Sequence, residues 1–228
     1  MFFNLFGKNY LRRKLLSNVT EPIMKAYLSN SFPDKKKFIK DIPIVSLDIE
    51  TTGLDIKKDN IVSIGLVQVD KLGINLGSSW HQIITTKKEL NEESVVIHKI
   101  TDDQSEKGVS IDKAIPILLE KLSGKVMLAH NAKVEQGFIN KICQSLYGCD
   151  LVIPIIDTQY LAKRSLDRAG SAYKNNDLRL FNLRRSFNMP AYTAHNALMD
   201  AIATAELFLY MVDRVASNKK GKLKDYLS

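Results

Sequence analysis

The sequence predicts an α/β domain, a mixed β-sheet of about five strands flanked by helices. Three observations point there. Three β-rich runs come first, helices and short apolar runs then alternate, and one long helical pattern follows. Strands in succession followed by helix–strand alternation pack as a sheet with helices laid over it. The pattern leaves the strand order open.

Residues 1–40 read as a helical extension in patches, with Leu11, Leu15, Leu16, Met24, Ala26 and Tyr27 as candidate buried positions. SNSFPDKKKF (29–38) reads as a linker or helix stop, and the main domain is expected over 41–216. The first strand is the apolar run 43–49. The second is IVSIGLVQV (61–69), rich in β-branched residues, and Asp70-Lys71-Leu72-Gly73 turns the chain into a third, 74–85. IDKAIPILLEKL (111–122) has helical amphipathicity, VMLA (126–129) is a short strand, and a helix follows over about 132–147 with Asn131 as candidate N-cap. Residues 152–157 offer a fifth strand, at an edge because Pro154 has no N–H for a ladder. Helical patterns recur at 158–166 and 178–187. The last covers about 196–216, where Ala197, Ala201, Ala205, Phe208 and Val212 repeat at helical spacing. Residues 217–228 are expected to form a basic, solvated tail.

At 228 residues the chain can bury a substantial core, and 45% hydrophobic with 25% charged residues is ordinary globular composition. No apolar run approaches the ~18 residues of a membrane span, so no membrane partner is expected. The start MFFNLFGKNYLRRKLL is apolar first and basic second, the reverse of a secretory signal. MFFNLF reads as a helix packed on the domain or a docking peptide. Cys143 and Cys149 have no His or Cys cluster nearby and read as thiols, which makes a cytoplasmic setting the expectation. The 33 basic against 25 acidic residues, net +8, favour an anionic partner such as nucleic acid. Lys163, Arg164, Arg168, Lys174, Arg179, Arg184 and Arg185 concentrate this charge. They line either a nucleic-acid path or a solvated face, and Phe181, Phe187 and Tyr192 among them are stacking platforms or core residues.

The chemistry is carried by acids at element boundaries. Asp48 and Glu50 are two apart on a strand, so both point to one face at its C-terminal end. In an open α/β sheet that edge is where ligands bind. Like charges so close raise each other's pKa unless a cation intervenes, although solvated acids at a strand end would tolerate the spacing. Glu135 falls in the first turn of the helix after VMLAHN, where an acid is favourable in any case. His195 precedes the last helix and Asp200 lies within it, as ligand-forming groups or as a packing histidine and a first-turn acid. Together, four carboxylates and one histidine form a hard donor set suited to Mg²⁺ or Mn²⁺ rather than zinc.

DIETTGL (48–54), HNAKVEQGFI (130–139) and HNALMDA (195–201), in this order, resemble the three motifs of the DEDDh 3′→5′ exonucleases, which include the proofreading epsilon subunit of bacterial DNA polymerase III. The resemblance spans about 43–212. It implies a ribonuclease H-like fold and removal of nucleotides from a single-stranded 3′ end, DNA favoured, with two divalent ions. It implies Asp48, Glu50, Glu135 and Asp200 as metal ligands and His195 as general base. Thr51, Thr52 and Leu54 match the turn that approaches the terminal nucleotide, and Ile97 and His98 match the segment beside it. The middle motif departs from the usual form, with Val134-Glu135 in place of Phe-Asp, a carboxylate one methylene longer. Lys99 replaces a usual glycine, and Asp157 reads as a helix cap. The same residues would serve an RNA- or oligonucleotide-trimming enzyme. A non-catalytic polymerase-associated module would be expected to have lost at least one of them. The resemblance implies a polymerase or repair-protein partner. The lack of a long C-terminal tethering segment favours a stand-alone nuclease.

Overall fold

A computed structural model describes residues 7–86, 106–193, 195–215 and 221–228. Strands β1 (Ile44–Thr51), β2 (Ile61–Asp70), β3 (Gly73–Ile83), β4 (Val126–Ala129) and β5 (Ile155–Asp157) form one sheet in the order β3-β2-β1-β4-β5. The first three are an antiparallel meander. Its β2–β3 hairpin is tight because Lys71 and Leu72 both take positive φ, 51° and 60°, the pair of left-handed residues a two-residue turn requires. β4 and β5 join parallel to β1, and a parallel neighbour needs a crossover. Helix α3 (Ile111–Leu122) leads into β4, and α4 (Lys133–Tyr147) crosses from β4 to β5. Then come α5 (Thr158–Arg168), α6 (Leu180–Ser186) and α7 (Ala197–Val215). Ahead of the sheet lie α1 (Lys8–Leu16) and α2 (Pro22–Ser29).

Strand alternation sorts β1 between two cores. Val45, Leu47 and Ile49 join Met24, Tyr27, Leu28 and residues of α3 and α4 on one face. Ile44 joins residues of α5, α6 and α7 on the other. Ser46 shares that second face and donates its hydroxyl hydrogen to the Ala201 carbonyl of α7, 2.7 Å away. Asp48 and Glu50, at the same parity, therefore face α7.

Both ends of the described residues are tied in. Tyr27 donates its hydroxyl to the Val152 carbonyl at 2.9 Å, and Leu28, not Ala26, is the buried neighbour in α2. Among the last eight residues, Leu223 and Tyr226 are buried and the Ser228 N–H reaches the Ile155 carbonyl, so this part of the tail packs rather than frays. Apolar anchors at 223 and 226 outweigh the lysines at 222 and 224. β5 is shorter than the sequence suggests, since pairing begins only after Pro154. The helical pattern at 178–187 divides into a 3-10 turn, Asn175–Leu178, and α6.

One glycine decides how closely α7 packs. Gly65 of β2 stands opposite Asp48 in the ladder. A Cβ there would lie 2.1 Å from the Leu198 nitrogen and 2.2 Å from the Ala197 carbonyl carbon. Backbone of α7 therefore rests directly on the sheet, and Ala197, Ala201 and Ala205, all fully buried, keep the approach short. Gly65→Ala should lower stability by about 3 kcal/mol, the upper end for overpacking, with a matching fall in melting temperature. An unchanged melting temperature would disprove the close contact.

Candidate active site

Parallel β1 and β4 end at one edge of the sheet, and three chain segments converge on it. β1 ends with Asp48, partly buried, and Glu50, 9% exposed. α4 begins four residues after β4 and carries Glu135, 3% exposed, in its first turn. α7 begins over Gly65 and brings in Asp200, 7% exposed. His195 lies in the loop before α7, exposed, and the positive φ of 65° folds the chain back. Its N–H donates to Asp200 Oδ2 at 3.1 Å. Ligand atoms of Glu50, His195 and Asp200 lie within 4.8 Å of one another.

Burial sets the electrostatics. It raises Asp48 well above the usual carboxylate range, and the charges of Glu135, Asp200 and Glu50 add to it. Burial and then Asp200 push Glu50 up to about 8. Burial also pushes Glu135 up to about 8, opposed by its own backbone N–H and reinforced by Asp157 and Glu50. Asp200 rises to about 6 through burial, held back by the His195 N–H and Arg184. Partial burial lowers the His195 imidazole, which favours its neutral form at pH 7. Glu135 Oε2 and Asp200 Oδ1 are buried without a hydrogen-bond partner among the described residues. Orphaned carboxylate oxygens among mutually repelling acids are costly alone and suited to a divalent cation.

The neighbouring acid does different work. One carboxylate, Asp157, accepts from Gln159 and Tyr160 at the start of α5 (2.9 and 3.2 Å) and from the Asn131 and Ala132 N–H groups leading into α4 (both 3.1 Å). It is a cap, as the sequence suggests, but for two helices. The cap expected from Asn131 is not made: Asn131 has φ 66°, Ala132 is the N-cap residue, and Asp157 serves that end instead. His130 Nε2 lies 2.9 Å from the Leu178 carbonyl, which only accepts, so the proton sits on Nε2 and Nδ1 accepts from the Thr158 hydroxyl at 2.8 Å. Burial pulls this imidazole down to about 4, so His130 is a neutral structural residue.

The turn after β1 is built around Asp59. Thr51 donates to the Gly53 carbonyl at 2.7 Å, and the buried Thr52 hydroxyl bonds Asp59 Oδ1 at 3.1 Å. A Cβ on Gly53 would meet Asp59 Oδ2 at 2.4 Å, which explains the glycine. Leu54 is 82% exposed beside the acids. Ile97, His98 and Lys99 lie outside the described residues.

Sequence reasoning missed several supports. Asn196 caps α7 through the Met199 N–H at 3.1 Å. Arg184, expected within a nucleic-acid path, is 1% exposed and pairs with Glu206 at 2.8 Å. It also donates to the Ala203 and Pro190 carbonyls at 2.8 and 3.0 Å, and Tyr192 donates to Glu206 at 2.7 Å. This cluster pins the loop that carries His195. Tyr192, Phe181 and Phe187 pack against the second core, and Phe187 stacks on Tyr210 at 4.7 Å between ring centres.

An acid pair on a central strand, joined by acids at two helix starts and a histidine on a ribonuclease H-like sheet, defines the nuclease class. A family model described as "Exonuclease", of RNase T type, matches residues 45–208, and the chain belongs to that family. Among relatives, a PolC-type DNA polymerase III of Thermotoga maritima is 31% identical over 191 residues, 81% of this chain but 13% of that protein. The chain thus spans about an eighth of that relative. The DNA polymerase III subunit epsilon of Treponema pallidum is 28% identical over 171 residues, 75% of this chain and 77% of that protein. The nuclease domain of 3′hExo, a DEDDh family member bound to rAMP, superposes with a TM-score of 0.64 at 14% identity, covering 78% of this chain and 95% of that one. None of the helices described is long and apolar enough to cross a membrane.

Two outcomes follow from the electrostatics and the clamp. Glu50 and Glu135 rise to about 8 from an ordinary 4.5, so the folded metal-free protein holds their protons more tightly than the unfolded chain. Their contribution is then intact below about pH 4.5 and lost as pH rises towards 8. The rise in melting temperature caused by Mg²⁺ or Mn²⁺ should therefore grow from pH 5.5 to 8; a gain that is flat or larger in acid would contradict the site. Arg184→Ala should cost on the order of 3 kcal/mol by stranding Glu206, and denaturant melts would show it. A loss below about 0.5 kcal/mol, within the range of ordinary surface substitutions, would mean the clamp is unimportant.

Proposed function

We propose that the protein is a 3′→5′ exonuclease that removes nucleotides from the 3′ end of single-stranded nucleic acid, DNA in preference to RNA, with Mg²⁺ or Mn²⁺. The convergence of Asp48, Glu50, Glu135 and Asp200 beside His195 carries this reading. Two divalent ions held by those carboxylates would offset their charge and stabilise the charge developing on the attacking and leaving oxygens. Neutral His195 takes a proton from the attacking water on an imidazole nitrogen. The water oxygen bonds to phosphorus and the bond to the 3′ oxygen breaks; that oxygen takes a proton from solvent to become the new 3′-hydroxyl of the shortened strand, and a nucleoside 5′-monophosphate leaves. The Thr51-Thr52-Gly53 turn and exposed Leu54 would receive the terminal nucleotide. The DNA preference and a polymerase partner are supported by the two DNA polymerase III relatives, which weigh against the stand-alone role.

The test is a 5′-labelled single strand, compared with duplex DNA and RNA, in Mg²⁺ and in Mn²⁺. The expected result is a ladder shortening from the 3′ end, abolished by EDTA, with Mn²⁺ favoured if the longer Glu135 holds the cation less well. Internal fragments would refute the reading. Asp48→Ala or Asp200→Ala should abolish the ladder in a folded protein. His195→Ala should slow turnover by about 10²–10⁴-fold while cation-induced stabilisation persists. Loss of that stabilisation would make His195 a ligand instead of a base.

A further inference from the structure

A groove of about 500 Å³ runs between α1 and α4. α1 supplies Lys8 and Lys14 over a floor of Leu11 and Leu15, α4 supplies Lys133, and Asp150 is the one acid in the lining. None of the three ammonium groups has an ion-pair partner among the described residues. Desolvation pulls the Lys8 ammonium below the ordinary lysine value, so an arriving anion would restore what water does not supply. The groove and the acids share the first turn of α4: Lys133 precedes Glu135 by two residues, ~3 Å along the helix axis, and faces the other side of the helix.

The α1 wall is fixed in place. Arg12 is buried and donates to the Leu28 carbonyl. Asn9 donates to the Phe32 carbonyl and accepts from its N–H, both at 2.9 Å. The exonuclease match begins at residue 45, so this wall lies outside the matched segment.

We propose that the groove holds the phosphate backbone of the nucleic-acid strand a few nucleotides upstream of the 3′ end being cut, so that α1 sets a preference for longer strands. The occupant follows from the charge. Three lysines on two elements pair with phosphates as point charges, and the groove ends at the helix turn that carries Glu135, so a strand would pass round the start of α4 to reach the acids. Its α4 side, Lys133 to Asn140, is ~10 Å long, room for about three phosphates at the ~3.4 Å spacing of a stacked strand. The proposal rests on the exonuclease reading.

The test is the double variant Lys8→Gln/Lys14→Gln in the full chain, with melting temperature as the folding control. KM for a DNA 12-mer should rise roughly tenfold at physiological salt, since each lost phosphate contact weakens binding severalfold. The ratio of kcat/KM for the 12-mer to that for a dinucleotide should fall by the same factor, and Lys8→Arg/Lys14→Arg should restore it. In EDTA, fluorescence anisotropy of a labelled 12-mer should show a salt slope shallower by about 1.4 for two lost contacts. An unchanged slope, or equal losses on both substrate lengths, would overturn the proposal. A shallower slope in a protein that cuts nothing would keep the groove and remove the exonuclease reading.

Discussion

The contact between the start of α7 and Gly65 of β2 is the constraint on which the site depends. A side chain at 65 would sit within 2.5 Å of three backbone atoms of Ala197 and Leu198, so the helix rests on bare sheet backbone. Gly65 is also the ladder partner of Asp48. The same approach therefore seats α7 and delivers Asp200 to the acids of β1. The alanines at 197, 201 and 205 extend it along the helix, and the Ser46 hydroxyl bonded to the Ala201 carbonyl satisfies a polar group that this burial would otherwise strand. The geometry of the candidate site here follows from close packing: α7 meets the sheet because small residues let their backbones touch.

That meeting carries an electrostatic cost, which the surrounding structure only partly offsets. The strain is shared unequally. Asp200 receives the His195 N–H and lies near Arg184, and it rises least among the acids with a stated value, to about 6. Glu50 has no such help and Glu135 only its own backbone N–H, and both reach about 8. Arg184 thus has two effects from one position. Its pairing with Glu206, and through Glu206 with Tyr192, holds the loop before α7, while its charge favours the ionised form of Asp200. The remaining repulsion is what a cation would relieve, and it makes folding and cation binding linked equilibria at neutral pH.

Much of this was legible in sequence because it is local. The i, i+2 spacing put Asp48 and Glu50 on one face, and the strand runs and the α7 periodicity follow from short-range pattern. The acids could be grouped because each falls at an element boundary of one domain. What escaped was long-range. Nothing near Gly65 reveals that α7 will lie on it, and nothing near Arg184 reveals Glu206, 22 residues on. Asn131 has the composition of a cap, yet the cap comes from Asp157, 25 residues beyond Ala132, because a carboxylate from the adjacent strand reaches two helix starts at once. Within the basic stretch 163–185, charge counts do not reveal that Arg184 alone is buried and paired with Glu206.

The contrast in burial between the acids and His195 suits the different tasks proposed for them. The acids whose pKa values climb are those taken out of water, where an ion pair with a cation is strongest and exchange with solvent is slow. His195 is exposed, and its backbone is held in the left-handed region by the loop that Arg184 and Tyr192 secure. In the proposed mechanism the base must release its proton after each cycle, and the imidazole of an exposed residue can pass it to water. A base buried among the carboxylates would instead become a paired cation, and its pKa would rise out of the useful range. The fold therefore buries Glu50, Glu135 and Asp200 and leaves His195, the proposed base, exposed.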